Sequence, residues 1–218
     1  MPEASEPPRP ARLGILLSGR GSNFLAIHQA IQAGEVPAEI ALVVSNRPEA
    51  PGLAKAVELG LPAVAIPHRA ERTGANHRAA HEAQVVAALE DAAVDWVCLA
   101  GYMRLLSPGF VARFRNRILN IHPSLLPAFP GLDAQRQAFE YGAKVSGCTV
   151  HLVDEGLDSG PIVVQRAVPV AGDDTAESLA ARILEEEHRA YPEALGRLLT
   201  EPWRFEGRRL VFGGALRE

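Results

Sequence analysis

The chain has 218 residues, of which 47% are apolar and 22% are charged, and its formal net charge is −4. This composition is typical of a globular protein with one sizeable core, and the charge gives no electrostatic reason to expect nucleic-acid binding. No stretch reaches the roughly 20 apolar residues that a membrane span needs. The 2 cysteines are too few for a stapled disulfide framework, so we expect them to be structural.

The beginning of the chain is predicted to differ from the rest. Residues 1–11 are rich in proline and lack the apolar run of a signal peptide, so we expect a short disordered lead and a cytoplasmic protein. We expect residues 12–218 to form a single domain, because no clear linker or internal repeat interrupts them.

Short apolar runs alternate with helix-like segments over the first half of the chain. The predicted strands cover residues 13–17, 40–45, 62–66, 94–100 and 118–121, and the predicted helices cover residues 23–33, 52–59 and 75–92. Strands that alternate with helices indicate an α/β fold, with a mostly parallel twisted sheet and helices on both of its faces.

After these elements the pattern changes. Residues 123–131 are rich in proline and should be irregular. The elements predicted beyond them are a pair of strands over residues 146–153 and 161–170, a long helix over residues 175–199, and a small hairpin over residues 203–212. Thr175 is the expected N-cap of the long helix. The sequence therefore predicts a C-terminal antiparallel extension of the sheet.

A loop with the sequence SGRGSN, residues 18–23, joins the first predicted strand to the first helix. Glycine lets the backbone approach a ligand closely, and the free N–H groups at a helix start favour an anion. Gly21, Ser22 and Asn23 are therefore candidate ligands of a phosphate group. The alternative is a tight turn in which Ser22 or Asn23 is an ordinary N-cap.

The same loop matches neither common nucleotide motif well. Arg20 stands where a Walker A loop requires Lys, and Phe24 takes the third glycine position of a dinucleotide fingerprint. Asn46 and Arg47 would suit a 2′-phosphate, so NADP stays open. A single phosphate monoester fits the loop better than a dinucleotide.

Two polar side chains lie at the end of the fifth predicted strand. The alternation of a strand puts Asn120 and His122 on one face, at the carboxyl end where α/β sheets bind ligands. An amide N–H stabilises the oxyanion of an acyl-transfer intermediate, and an imidazole moves protons. Asp158, in the loop over residues 154–160, is the leading candidate for a carboxylate that orients the imidazole and favours its charged form. The alternative is a purely structural pair.

Four segments carry a resemblance to a known family. They read SGRGSN at 18–23, LAGYMRLLSP at 99–108, NIHPSLLP at 120–127 and DEGLDSGP at 154–161. In order and spacing the chain resembles the phosphoribosylglycinamide formyltransferases, from about Arg12 to Leu199. The resemblance implies a Rossmann-like formyltransferase fold, with a phosphate-binding half over residues 12–103 and a folate-binding and catalytic half over residues 104–218.

The resemblance also implies a reaction. The formyl group of 10-formyltetrahydrofolate would pass to the primary amine of 5′-phosphoribosylglycinamide, giving formylglycinamide ribonucleotide and tetrahydrofolate. It implies small-molecule substrates, no metal, no nucleic acid, no membrane, and a monomer or homodimer.

Residue roles carry over by motif. Asn120 would donate to the formyl oxygen, His122 would donate a proton, and Asp158 would keep His122 charged. The residues implied for the substrate phosphate and ribose are Gly21, Ser22, Asn23 and Glu187. Those implied for the folate are Arg78, Met103, Arg104, Leu105, Leu106, Asn120 and Asp154.

One departure from the family concerns the support of Asp158. Many members carry a His in the loop where this chain has Asp133 and Gln135, so Asp133 or a water would have to replace it. The other histidines carry no signal of their own. His151 is expected to be structural or at the surface, and His77 with His81 is disfavoured as a metal pair, because Glu82 is misplaced for an HExxH motif.

Three rival functions remain. A formyltetrahydrofolate hydrolase should carry a regulatory domain before Arg12, where this sequence has 11 residues. A methionyl-tRNA formyltransferase should add a C-terminal domain and a basic surface for tRNA, and another folate-dependent formyltransferase stays an alternative. A phosphate-binding module without catalysis would leave the combination of Asn120, His122 and Asp158 unexplained.

Overall fold

The computed structural model describes residues 9–68 and 75–213, without the side chains of residues 75–77. Its strands are β1 Ala11–Leu17, β2 Ala38–Ser45, β3 Ala63–Ala65, β4 Trp96–Leu99, β5 Ile118–His122, β6 Val145–Leu152, β7 Ile162–Pro169, β8 Trp203–Glu206 and β9 Arg209–Phe212. Its helices are α1 Ser22–Gln32, α2 Pro51–Glu58, α3 Ala75–Asp91, α4 Pro108–Arg113, α5 Ala134–Tyr141 and α6 Ala176–Thr200.

Seven strands form one sheet in the order β3-β2-β1-β4-β5-β6-β7. Pairing is parallel from β3 to β5, and it becomes antiparallel between β5 and β6 and between β6 and β7. β8 and β9 form a separate antiparallel hairpin. The predicted mostly parallel sheet with a C-terminal antiparallel extension is confirmed.

Two apolar clusters cover the two faces of the sheet. One cluster joins the sheet to α1, α2 and α6, with Phe24 and Ile183 fully buried. The other joins it to α3 and α4 through Leu89 and Phe110. The consecutive residues Ile15 and Leu16 of β1 belong to different clusters, so β1 is covered on both faces. This explains why the sequence of the strand is a continuous apolar run.

Two helices, α4 and α5, are missing from the elements predicted above. Ser107 caps α4 by accepting a hydrogen bond from Phe110 N, and Pro108 follows at its first position. This Ser-Pro start is a recognisable signal. The start of α5 carries a weaker one, because Asp133 adopts a left-handed conformation with φ 55° and offers no side-chain cap.

The ends of the described chain bear on two further predictions. The predicted lead, residues 1–11, lies for the most part outside the described residues, although Arg9 pairs with Asp95 and Ala11 opens β1. Thr175 caps α6 in a capping box with Ser178, as expected. Among the described helices, none combines the length and the apolarity that crossing a membrane requires.

Candidate active site

The candidate site lies at the carboxyl ends of β1 and β4. These parallel strands are neighbours in the sheet, but β1 is followed by β2 on one side and β4 by β5 on the other. Ligands of α/β sheets bind where the strand order reverses in this way. The loops after the two strands are joined directly. Ser18 N donates to Gly101 O at 3.0 Å, and Met103 N donates to Ser18 Oγ at 2.9 Å. The segments at 18–23 and 99–108 therefore meet here.

The start of α1 is built for close approach. Gly21 precedes the helix with φ 74°, and a Cβ on it would lie 3.0 Å from the Cα of Gly52. No side chain of the described residues caps α1 at Gly21, and its first turn contains no acid. The N–H groups of this turn are thus free to bind an anion. Ser22, partly exposed, begins the helix beside them.

Asn23 and Glu187 form a buried pair behind this turn. Asn23 Nδ2 donates to Glu187 Oε2 at 2.7 Å, which ties α1 to α6. Burial raises the pKa of Glu187, and the hydrogen bond from Asn23 opposes that shift. Asn23 Oδ1 is buried without a partner among the described residues. The structure therefore brings Gly21, Ser22, Asn23 and Glu187 together, but the Asn23 amide is directed at Glu187.

The pairing of β5 with β6 places His151 opposite Asn120. Nδ1 of His151 lies 3.0 Å from Leu152 O and must donate, since a carbonyl only accepts. Burial lowers the pKa of His151, so the ring is neutral and its Nε2 carries a lone pair. That lone pair accepts from Asn120 Nδ2 at 3.1 Å. The amide of Asn120 is thereby fixed, and its second N–H is left for a ligand.

His122 is buried, and each of its ring nitrogens has an acceptor nearby. Nε2 donates to Phe129 O at 2.8 Å, and Nδ1 faces Asp158 Oδ2 at 3.4 Å. Both neighbours are acceptors, and only the doubly protonated ring donates to both. The contact with Asp158 is the looser of the two. The sequence-predicted group of Asn120, His122 and Asp158 is thus assembled in one place.

Asp158 is supported by a backbone N–H and lies near His151. Its Oδ2 accepts from Gly131 N at 2.8 Å, and its Oδ1 lies 3.8 Å from His151 Nε2. The expected substitute, Asp133, is instead exposed at the start of α5. The loop that carries Asp158 is held by Asp154, which accepts from Gly156 N at 3.0 Å and from Ser159 Oγ at 2.6 Å.

The loop after β4 presents apolar side chains to solvent. Met103 and Leu105 are 64% and 65% exposed, which is unusual for two large apolar side chains only two residues apart. Arg104 and Leu106 are partly buried. Arg78, from α3, donates through its Nη2 to Leu105 O at 2.7 Å. The residues carried over for the folate pocket are therefore neighbours, apart from Asp154, which lies in the loop of Asp158.

His151 is the residue that the sequence reading missed. The signal was present, because alternation along the strand puts Thr149 and His151 on one face, and an antiparallel neighbour of β5 would set that face beside Asn120. Without the register, His151 is indistinguishable from a core histidine. Of the disfavoured metal pair, the side chain of His77 lies outside the described residues, and His81 Nε2 donates to Ile66 O at 2.8 Å. Within the described part of the chain, no group of three or more potential ligands could hold a metal ion.

Comparisons with known proteins agree with this geometry. A family model described as formyl transferase matches residues 11–195. The trifunctional purine biosynthetic protein adenosine-3 of Drosophila melanogaster is 47% identical over 193 residues, which cover 88% of this chain and 14% of that protein. Phosphoribosylglycinamide formyltransferase of Bacillus subtilis is 40% identical over 188 residues, covering 86% of this chain and 94% of that protein.

A solved structure is similar over nearly its whole length. The crystal structure of glycinamide ribonucleotide transformylase 1 from Symbiobacterium toebii matches with a TM-score of 0.90 and 47% identity, covering 96% of this chain and 98% of that one. The chain spans about a seventh of the trifunctional relative and nearly all of the Bacillus one. These matches confirm the resemblance found in the four sequence segments.

The buried histidines predict how stability depends on pH. Burial lowers the pKa of His81, His151 and His188. The unfolded chain takes up protons at these rings below their ordinary pKa of about 6.5, whereas the folded chain takes them up only at lower pH. Acidification from pH 7.5 to 5.5 should therefore lower the free energy of unfolding, and His151→Gln should reduce the loss by up to about 1.4 kcal/mol per pH unit. Urea unfolding at several pH values measures both slopes, and equal slopes for the two proteins would contradict the neutral His151.

Proposed function

The chain belongs to the formyl transferase family, and we propose that it transfers the formyl group of 10-formyltetrahydrofolate to the primary amine of 5′-phosphoribosylglycinamide. The products are formylglycinamide ribonucleotide and tetrahydrofolate. The observation that carries the proposal is the clustering of Asn120 and His122, on the strand that pairs with β4, with Asp158 from the loop after β6, beside a helix start that is free to bind a phosphate.

The distances support an acceptor of this size. Asn120 lies on β5, two strands from β1, which corresponds to about 10 Å between the start of α1 and the reacting centre. A ribose 5-phosphate that carries a glycinamide arm spans such a distance. In this arrangement the first turn of α1 holds the phosphate, and Glu187 lies beside Asn23 where the ribose would pass.

The loop after β4 supports a folate as the donor. The exposed side chains of Met103 and Leu105 offer apolar contacts to a flat ring system, and backbone groups of the same loop can read its polar edge. Register places Leu99 of β4 next to Asn120, so a formyl group held at this loop lies close to the Asn120 amide.

The proposed reaction runs through a tetrahedral intermediate. The amine attacks the formyl carbon, and the carbonyl electrons move to the oxygen, where the free N–H of Asn120 stabilises the oxyanion. The folate nitrogen gains a proton from His122, and its bond to the formyl carbon breaks as the oxyanion electrons re-form the carbonyl. The attacking nitrogen then passes its surplus proton to the His122 ring that has just been deprotonated. His122 supplies the proton from Nδ1, because Nε2 is held by Phe129 O and the contact with Asp158 is loose.

Two rivals share this chemistry. In a formyltetrahydrofolate hydrolase, water replaces the amine as the attacking group, and another folate-dependent formyltransferase would use a different amine. The uncapped start of α1 favours an acceptor with a phosphate over either rival. Membership of an enzyme family disfavours a phosphate-binding module without catalysis.

The other expectations remain predictions that accompany this function. They are a division of residues 12–218 into a phosphate-binding half and a folate-binding and catalytic half, a monomer or homodimer, small-molecule partners without nucleic acid or membrane, no metal, and a cytoplasmic location. The single seven-stranded sheet, to which both halves contribute strands, supports the single domain.

An acceptor screen tests the proposed function. The protein is incubated with 10-formyltetrahydrofolate alone, with phosphoribosylglycinamide, and with the same glycinamide riboside lacking the phosphate. We expect rapid formation of tetrahydrofolate only with the phosphorylated acceptor, because the start of α1 binds the phosphate. Rapid formyl loss without any acceptor would show a hydrolase, and equal rates with both ribosides would remove the phosphate site.

Substitution of the central residues tests the mechanism. Asn120→Ala removes an oxyanion donor and should lower kcat by about 100-fold to 1000-fold, and His122→Ala should cost a similar factor as a proton donor is lost. Folate binding, measured by calorimetry, should survive in His122→Ala. Gln137→Ala, which removes an exposed amide on α5, is the matched control. Turnover of Asn120→Ala at the level of the control would contradict the proposed role of Asn120.

A further inference from the structure

Glu82 is a buried acid that the reaction does not use. It lies on α3 with 8% of its surface exposed, and Oε1 accepts from Ser107 N at 3.0 Å and from Arg78 Nε at 3.1 Å. The same Arg78 donates to Leu105 O. Arg78 and Glu82, four residues apart on α3, thus hydrogen-bond to the backbone of the loop after β4 at Leu105 and Ser107.

This pair differs from the ion pairs of the protein surface. Arg197 in the last turn of α6 and Glu201, the residue after the helix, have the same spacing and the same Nε to Oε1 contact, at 2.9 Å. The Glu201 side chain is 41% exposed against 10% for the Glu82 side chain. An exposed pair of this kind stabilises little. A hydrogen bond from a backbone N–H to a buried carboxylate is stronger and more directional than such an exposed ion pair. The Arg78–Glu82 pair is therefore suited to fixing a backbone conformation.

The loop is anchored at three alternate residues. Ser18 Oγ holds Met103 N, Arg78 holds Leu105 O, and Glu82 holds Ser107 N. Ser107 is also the N-cap of α4, so its position sets where the loop ends. Because these hydrogen bonds fix the backbone, the Met103 and Leu105 side chains stay exposed, although burial would be more favourable for them.

We propose that Glu82 is a positioning residue for the folate: it holds the loop over residues 103–107 in the conformation that binds the formyl donor, without touching the donor itself. The inference rests on the proposed function, in which this loop forms the folate site. It makes α3 part of the donor site, and it separates the support of the donor from that of the phosphorylated acceptor, which binds at α1.

Three variants test the proposal. Glu82→Ala removes both contacts, Glu82→Gln keeps an acceptor oxygen for Ser107 N but loses the charge opposite Arg78, and Glu201→Ala breaks the matched surface pair. We expect Glu82→Ala to raise the Kd and the KM for 10-formyltetrahydrofolate about tenfold or more, since a charged hydrogen bond is lost. Glu82→Gln should raise them less, and kcat and the KM for the acceptor should stay close to those of Glu201→Ala.

The outcomes separate this inference from the function on which it rests. A Kd for Glu82→Ala equal to that of Glu201→Ala overturns the positioning role, and so does an equal rise in the KM of both substrates with a lowered Tm, which indicates a structural role. If Glu82→Ala does not fold, Glu82→Gln decides, and a wild-type Kd in that variant overturns the inference. Wild-type protein that neither binds the folate nor transfers its formyl group would overturn the proposed function as well.

Discussion

The register between β5 and β6 is the constraint on which the site depends. Where the sheet changes from parallel to antiparallel pairing, Asn120 comes to lie opposite His151, and the loop after β6 returns Asp158 to His122. A shift of one residue would turn Asn120 and His122 to the other face of the sheet. Because both faces are covered by packed helices, such a shift would leave these polar side chains buried without their partners, which is costly.

The polar groups of the site are held by neighbours that do no chemistry. Burial keeps His151 neutral, which makes it an acceptor for the Asn120 amide. Gly131 N fixes Asp158, and Phe129 O fixes one side of His122. Buried polar groups are costly unless they are paired, so each of these contacts both stabilises the fold and fixes a direction. One N–H of Asn120 and the Nδ1 side of His122 remain for a substrate.

The sequence predicts the fold and the central residues well, for physical reasons. Short apolar runs of strand length mark a sheet covered on both faces, and Asn120 and His122 lie at the end of such a run. The contributions of His151 and Glu82 arise from contacts distant in the chain, such as Glu82 with Ser107, which no local pattern encodes. The sequence leaves Asp133 or a water as the support of Asp158, whereas the structure shows a hydrogen bond from Gly131 N, and a backbone N–H carries no sequence signal.

A crystal structure with phosphoribosylglycinamide and tetrahydrofolate bound is the sharpest test of the proposed active site. In it we expect the phosphate at the first turn of α1 and the folate against Met103 and Leu105. The glycinamide amine and the folate nitrogen should both lie within reach of Asn120 and His122. The His151 contact to Asn120 should persist in that complex. A phosphate bound away from Gly21 to Asn23, or an Asn120 amide turned away from the reacting atoms, would contradict it.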